Sequence, residues 1–275
     1  MTIAQFLTEA TELLQKAGVE SARLDVLILL EDLLERDRSR VLAHAEQLLT
    51  KEQVHKLNNY IVQRSRHTPL AYIRGHVAFF GRDFIVNEHV LIPRPETEAV
   101  IELLKECSFS KPPCIADVGT GSGCIGITAA LELPTTRVHF YDTDKAALEV
   151  ALSNARRLHA HGEYYRGNVL DPWRHDYDVV LANLPYIPDV YPINKAAGFE
   201  PELALFSGED GLNHYRLLWR QIKARAGKSG EPDKPAHVII EAFPAQHADL
   251  DGLAAAAGYR LHATRGYVQH FMSLP

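Results

Sequence analysis

Asp117-Val118-Gly119-Thr120-Gly121-Ser122-Gly123 is the stretch whose reading decides the fold. It follows a short apolar run, Cys114–Val118, and precedes a helical pattern from Cys124 to Leu133. Glycines at a strand-to-helix turn let the backbone approach a ligand closely, and the helix start offers unpaired N–H groups. Asp142 ends the next apolar run, where a carboxylate can accept hydrogen bonds from the two hydroxyls of a ribose.

Two ligand classes fit this loop. Gly121, Gly123 and Gly126 satisfy the GxGxxG spacing of a dinucleotide fold, with Asp142 at the right distance downstream. The earlier acid, Asp117, and the tighter GxGxG favour a methyltransferase instead. Agreement of loop, acid and strand order argues against a mere tight turn.

Working outward, the candidate strands are Cys114–Val118, Arg137–Asp142, Tyr177–Ala182 and His237–Ala242. Helical patterns at Cys124–Leu133, Lys145–Leu158 and Leu212–Ala226 alternate with them, the signature of a parallel sheet covered on both faces. Ligands of such sheets bind beyond the carboxyl ends of the strands. Asn183-Leu184-Pro185-Tyr186 follows the third of these runs, so it shares that edge with the glycine loop and Asp142.

The residue types there suit a flat NH2 group. The Asn183 side-chain oxygen and the carbonyl of Leu184 can each accept one N–H. That orients a weakly nucleophilic nitrogen and stabilises positive charge developing on it. Pro185 biases Leu184 toward an extended backbone, which aims its carbonyl. Tyr186 can pack on a flat substrate group.

Before residue 75 the pattern is helical. Ile3, Phe6, Leu7, Ala10, Leu13 and Leu14 recur at helical spacing, with Gly18 as a stop. Leu24, Leu27, Ile28 and Leu34 mark a second helix, from Ser21 to Leu34. Thr50 and Gln53 form a capping box for another, ending near Arg66. Residues 76–92 change period around Gly81 and predict a β-hairpin. Ser229–Pro235 predicts a mobile surface loop.

Composition narrows the class. The 275 residues are 46% hydrophobic and carry a net charge of -6, so the chain is not built to wrap nucleic acid. Arg64, Arg66, His67 and Arg74 form a basic cluster, read as a solvated helix end. No apolar run approaches the ~20 residues of a membrane span, and Glu9 and Glu12 argue against a leader. A cytoplasmic location is expected. Cys107, Cys114 and Cys124 have no metal-ligand spacing, nor do the 14 histidines, so no metal is assigned.

Longer segments carry a resemblance. Ser21-Ala22-Arg23-Leu24-Asp25, Pro69-Leu70-Ala71-Tyr72-Ile73 with Gly75, and Leu91-Ile92-Pro93-Arg94-Pro95-Glu96-Thr97-Glu98 belong to it. So do Asp117 to Gly123, Asn183 to Ile187, and Glu200-Pro201-Glu202-Leu203-Ala204-Leu205-Phe206 with Gly208 to Leu212. On these the chain resembles the protein-(glutamine-N5) methyltransferases, which modify the glutamine of the Gly-Gly-Gln motif in peptide-chain release factors.

The resemblance implies an α/β fold: a seven-stranded Rossmann-like class I methyltransferase domain (93–275), preceded by a five-helix bundle (1–75) and a β-hairpin linker (76–92). The bundle would help dock the release factor. S-adenosylmethionine would be the methyl donor, leaving S-adenosylhomocysteine. Asp117, Val118, Gly119, Thr120, Gly121, Gly123, Asp142, Asn168, Val169 and Asn183 would form the cofactor site. Asn183, Leu184, Pro185 and Tyr186 would hold the glutamine amide. Release factors are the expected partner, with no membrane, no direct nucleic-acid binding and a monomeric state.

Three departures stand out. Leu184 replaces the family's usual proline, at some loss of rigidity. Asn168 stands where an acid near the adenine is usual. Arg265-Gly266-Tyr267 matches poorly and receives no role. Adenine-N6 methylation of RNA or DNA is the enzymatic alternative, because adenine also presents a flat NH2. A non-catalytic S-adenosylmethionine-binding scaffold is a second, and a dehydrogenase a third.

Overall fold

The computed structural model describes residues 1–225 and 234–274. The contacts divide the chain into two units, Met1–His76 with Ile193–Phe199, and Val77–Pro192 with Glu200–Pro275. Of the expected loop at 229–235, residues 229–233 lie outside the described residues, as does the end of the helix expected over 212–226.

The first unit holds α1 (Ile3–Lys16), α2 (Ala22–Leu34), α3 (Arg38–Ala43), α4 (Lys51–Ser65) and α5 (Leu70–Arg74). Thr50 and Gln53 do form the capping box of α4, and Thr2 with Gln5 forms another on α1. Leu13 lies exposed, unlike the rest of the α1 stripe. On α2 the buried face is Val26, Leu27, Leu29 and Leu30, while Leu24 is exposed. That helix is apolar around most of its circumference, so spacing alone does not select the buried face.

Two of the four members of the basic cluster are paired inside this unit. Arg64 Nε donates to Asp25 Oδ2 at 2.6 Å, and Arg74 Nε to Asp32 Oδ2 at 2.6 Å. Asp25 and Arg64 are both largely withdrawn from solvent.

The second unit begins with a two-stranded hairpin, β1 (His76–Phe79) and β2 (Arg82–Ile85). Phe80 and Gly81 both take positive φ, the two-residue turn whose twist matches antiparallel strands. Phe79 and Phe84 enter the core of the large sheet, and Asn154 bonds both the N–H and the carbonyl of Ile85.

The large sheet comprises β3 (Cys114–Val118), β4 (Arg137–Asp142), β5 (Glu163–Arg166), β6 (Val179–Ala182), β7 (His237–Glu241), β8 (Tyr259–Arg265) and β9 (Val268–Ser273). Their order is β5-β4-β3-β6-β7-β9-β8. All pairs are parallel except those of β9, which runs antiparallel to β7 and β8. The Rossmann-like seven-stranded arrangement is therefore as expected. Around it lie α6 (Glu98–Glu106), α7 (Cys124–Glu132), α8 (Lys145–Arg157), α9 (Glu202–Leu205), α10 (Asn213–Arg225) and α11 (His247–Ala256). Among the described residues no helix is long and apolar enough to cross a membrane.

β6 starts two residues later than Tyr177. Asp178 instead closes the strand entry through its side chain, accepting the Cys114 N–H at 2.8 Å. Arg265, without a role in the resemblance, pairs with Glu102 and Glu106 of α6, and Gly266 turns the β8–β9 hairpin.

Removing one partner of a buried ion pair strands the other charge, at a cost of about 3 kcal/mol. Asp25→Ala should destabilise the helical unit by that amount in urea unfolding. A loss below about 0.5 kcal/mol, the value of an exposed pair, would show that Arg64 finds water there.

Candidate active site

The parallel register brings the sequence-predicted residues to one edge. Val118 stands opposite Tyr141 and Ala182, and Ala182 opposite Ile240. The next residue in each chain direction is then Gly119, Asp142, Asn183 and Glu241. A cleft opens at this level, with about 980 Å³ of space unfilled by protein, part of it open to solvent.

Gly119, Thr120, Gly121, Asp142, Asn168, Val169, Asn183, Leu184 and Pro185 line the cleft. Asp117, Val118, Gly123 and Tyr186 do not. Asp117 and Val118 are wholly buried beneath it. The Asp117 carboxylate holds the loop from below: Oδ2 accepts the Thr120 hydroxyl at 2.5 Å and the Gly126 N–H at 2.9 Å. A Cβ on Gly126 would meet Phe140 at 2.5 Å and Asp117 at 2.7 Å, so this glycine serves close helix–sheet packing. Burial pushes the Asp117 carboxyl up to about 6, against the pull of those two hydrogen bonds.

Asp142 faces the cleft with both oxygens anchored. Oδ2 accepts the Gly121 N–H and Oδ1 the Asp144 N–H, each at 2.9 Å. Each carboxylate oxygen keeps a further lone pair for a ligand. Burial raises this carboxyl too, and the backbone N–H bonds oppose it. A Cβ on Gly121, at φ +52°, would enter open space, so the backbone there is bare toward a ligand. Val169 is β-branched yet held at φ +61°, and Asn168 beside it is exposed on the rim. An anchored carboxylate, bare glycine backbone and an apolar wall that includes Val90, Leu91 and Ala147 fit a nucleoside-bearing cofactor.

Behind the tetrapeptide lies a polar cluster that motif reading left without roles. Asn183 Nδ2 donates to the Thr97 hydroxyl at 3.2 Å. Beside it lies the Glu241 carboxyl, only 1% exposed. Burial raises the Glu241 carboxyl, while Thr97, Tyr186 and Asn183 pull it back. The Tyr186 hydroxyl donates to Glu241 Oε1 at 3.1 Å, and its ring meets the Phe243 ring edge-on. Leu184 N–H donates to the Tyr215 hydroxyl at 3.2 Å, and that hydroxyl donates in turn to the Glu241 carbonyl.

Thr97 comes from the IPRPETE segment, which is fastened to the EPELALF segment. Glu200 accepts from Arg94 Nη2 at 2.5 Å and from the Ile92 N–H at 3.0 Å. Glu241 and Tyr215 lie in none of the motif segments. For Glu241 one signal existed, an acid closing an otherwise apolar strand, His237–Glu241.

Residues 5–75 match the family model described as PrmC N-terminal domain, and residues 96–193 that of the Methyltransferase small domain. The chain is 32% identical over 271 residues to the release factor glutamine methyltransferase of Bacillus anthracis, covering 91% of this chain and 94% of the relative. Its match to the protein of that name from Moorella thermoacetica is 40% over 227 residues, 79% of each. The chain belongs to the release factor glutamine methyltransferase family. Family membership rules out the dehydrogenase reading of the glycine loop. Among solved structures, the catalytic domain of hMettl16 in complex with the MAT2A 3'UTR hairpin 1 shares its fold, with TM-score 0.52, 11% identity and 84% of each chain covered.

Asp117 gives this methyltransferase a pH signature. Its folded-state pKa lies above the unfolded one, so the proton stabilises the fold and ionisation penalises it. Near pH 4 most of the penalty is absent; above about 6 it is complete, at about 3 kcal/mol. Between pH 4 and 7, Asp117→Asn should therefore gain up to about 3 kcal/mol relative to the wild type in urea unfolding. A pH-independent difference would refute the raised pKa.

Proposed function

We propose that this chain transfers a methyl group from S-adenosylmethionine to the side-chain amide nitrogen of the Gly-Gly-Gln glutamine in peptide-chain release factors. One observation carries the reading. The NH2 end of Asn183 is turned to the Thr97 hydroxyl, which leaves its oxygen as the end available to accept a hydrogen bond in the cleft.

S-adenosylmethionine, when bound, supplies an electrophilic methyl group on a sulfonium. The chain's residues would hold it as follows. Asp142 accepts from the ribose hydroxyls, and Asn168 with Val169 borders the adenine. The bare backbone of Gly119 and Gly121 lies under the methionine portion. Asp117 keeps that loop in shape from beneath, without touching the ligand.

The glutamine amide is a poor nucleophile because its nitrogen lone pair is delocalised into the carbonyl. Asn183 Oδ1 and the Leu184 carbonyl accept its two N–H groups. The nitrogen is thereby turned toward the donor, and the charge it gains is stabilised as it develops. One N–H proton is released with the methyl transfer. Thr97 is a positioning residue: it fixes the flip of the Asn183 amide, with the Glu241 carboxyl and Tyr186 behind it. The same acceptor pair would also hold adenine, but a net charge of -6 favours a protein substrate over an RNA strand. Residues 1–75 would dock the release factor, with 76–92 as the connection to the catalytic domain.

Labelled methyl transfer should modify a purified release factor, spare its Gly-Gly-Gln Gln→Ala variant and leave ribosomal RNA unlabelled. Asn183→Ala should lower kcat roughly 100-fold or more, the usual effect of deleting one such hydrogen bond, while cofactor Kd changes only a few-fold. Labelling of the Gln→Ala variant, or of the RNA in its place, would exclude the proposal. Asp142→Ala should weaken cofactor binding by roughly 10- to 100-fold, from loss of charge-assisted hydrogen bonds. An unchanged Kd would remove the ribose assignment.

A further inference from the structure

At the opposite end of β7 from the cleft, three side chains from three elements converge. Cys107 caps α6, His237 begins β7, and His270 lies on β9. The Cys107 Sγ is 3.7 Å from His237 Nδ1 and 3.8 Å from His270 Nε2, and those two nitrogens are 2.9 Å apart. Register makes the meeting possible. His270 stands opposite Ile239, and His237, two residues before Ile239, shares its face of the sheet.

A tetrahedral zinc ion, at about 2.3 Å from sulfur and 2.0–2.1 Å from nitrogen, needs S···N edges of about 3.5 Å and N···N edges of about 3.3 Å. The three distances lie within a few tenths of an ångström of these. The donors are one thiol and two imidazoles, a set that suits zinc rather than magnesium or calcium. We propose that Cys107, His237 and His270 form a binding site for a zinc-type divalent ion, with the fourth position taken by water and His262 beside it.

The surroundings agree. Both histidines are buried, and the His262 ring lies 4.9 Å from that of His270. In the metal-free chain His237 Nδ1 and His270 Nε2 share a hydrogen bond, so the ring that donates moves its proton to its other nitrogen as the ion enters. Binding also breaks the Cys107 S–H bond. The proton leaves to solvent and the freed sulfur pair bonds the metal. The ion would clamp the end of α6 to the β7–β9 strands. It would take no part in methyl transfer.

A second trio, His139, Glu163 and His175, also converges. Its donors are already engaged by a hydroxyl: Tyr165 bonds both His175 Nε2 and Glu163 Oε2, and Glu163 is exposed. It serves as the control.

The full-length chain, loaded with one equivalent of zinc and desalted, should retain one zinc by elemental mass spectrometry. Cys107→Ser and His270→Ala should retain none, and His175→Ala should retain it all. With cobalt(II) in place of zinc, the wild type should show a thiolate-to-cobalt charge-transfer band that Cys107→Ser lacks. Absence of zinc from the wild type would overturn the site, as would retention by Cys107→Ser or loss in His175→Ala alone. The cobalt spectrum decides without any variant: bound cobalt with no thiolate band is equally fatal.

Discussion

The parallel register of β4, β3, β6 and β7 is the constraint on which the site depends. A shift of one residue between any two of these strands would turn every side chain to the other face. Because Val118 is level with Tyr141 and Ala182, and Ala182 with Ile240, four successive strand ends deliver Gly119, Asp142, Asn183 and Glu241 to one line. Each strand is buried on both faces at this point, so packing on either side resists a slip. Chemistry at the cleft is thus a consequence of core packing some distance beneath it.

Two buried carboxyls lie under that line, and each is costly. Asp117 and Glu241 are both pushed toward the protonated form by lost hydration. What they return is geometric. Asp117 fixes the glycine turn through Thr120 and Gly126. Glu241 fixes Tyr186, while its backbone carbonyl fixes Tyr215. A hydrocarbon in either place would remove the desolvation cost and leave the loop or the Tyr186 hydroxyl free to choose another arrangement. Stability is given up here for a defined orientation, as expected at a functional site.

The loop, Asp142, the tetrapeptide and four strands were legible because each is written in consecutive residues. The capping box at Thr50 and the hairpin around Gly81 were legible for the same reason. What escaped is written across the chain. β5 and β8 are edge strands with mostly exposed or half-exposed side chains, and β9 buries Gln269 and His270, so none has the apolar run of a central strand. The buried face of α2 was ambiguous because too many of its residues are apolar. Glu241 meets Asn183 from 58 residues away, and the cysteine–histidine trio spans positions 107 to 270. Metal-ligand spacing rules see only local sequence, so a site assembled by sheet register from single residues is invisible to them.

Leu184 shows how one apparent defect is compensated. A proline there would fix its own φ and have no N–H to satisfy. Replacing a conformationally compatible proline by another residue costs about 0.4–1 kcal/mol in chain entropy. Leucine also brings a buried N–H, which would cost more still if left unpaired. Both charges meet one answer. The N–H bonds the Tyr215 hydroxyl, worth about 0.5–1.5 kcal/mol, and Tyr215 is itself tied to the Glu241 carbonyl. The leucine side chain is buried against Gly119, where a Cβ would come within 2.9 Å of it. The rigidity a ring would supply by covalent restraint is here supplied by a hydrogen bond below and a packed side chain above. It links the tetrapeptide to the glycine loop on one side and to the β7 end on the other. The Leu184 carbonyl is therefore held by the same elements that define the cleft, and loss of the proline does not loosen its aim.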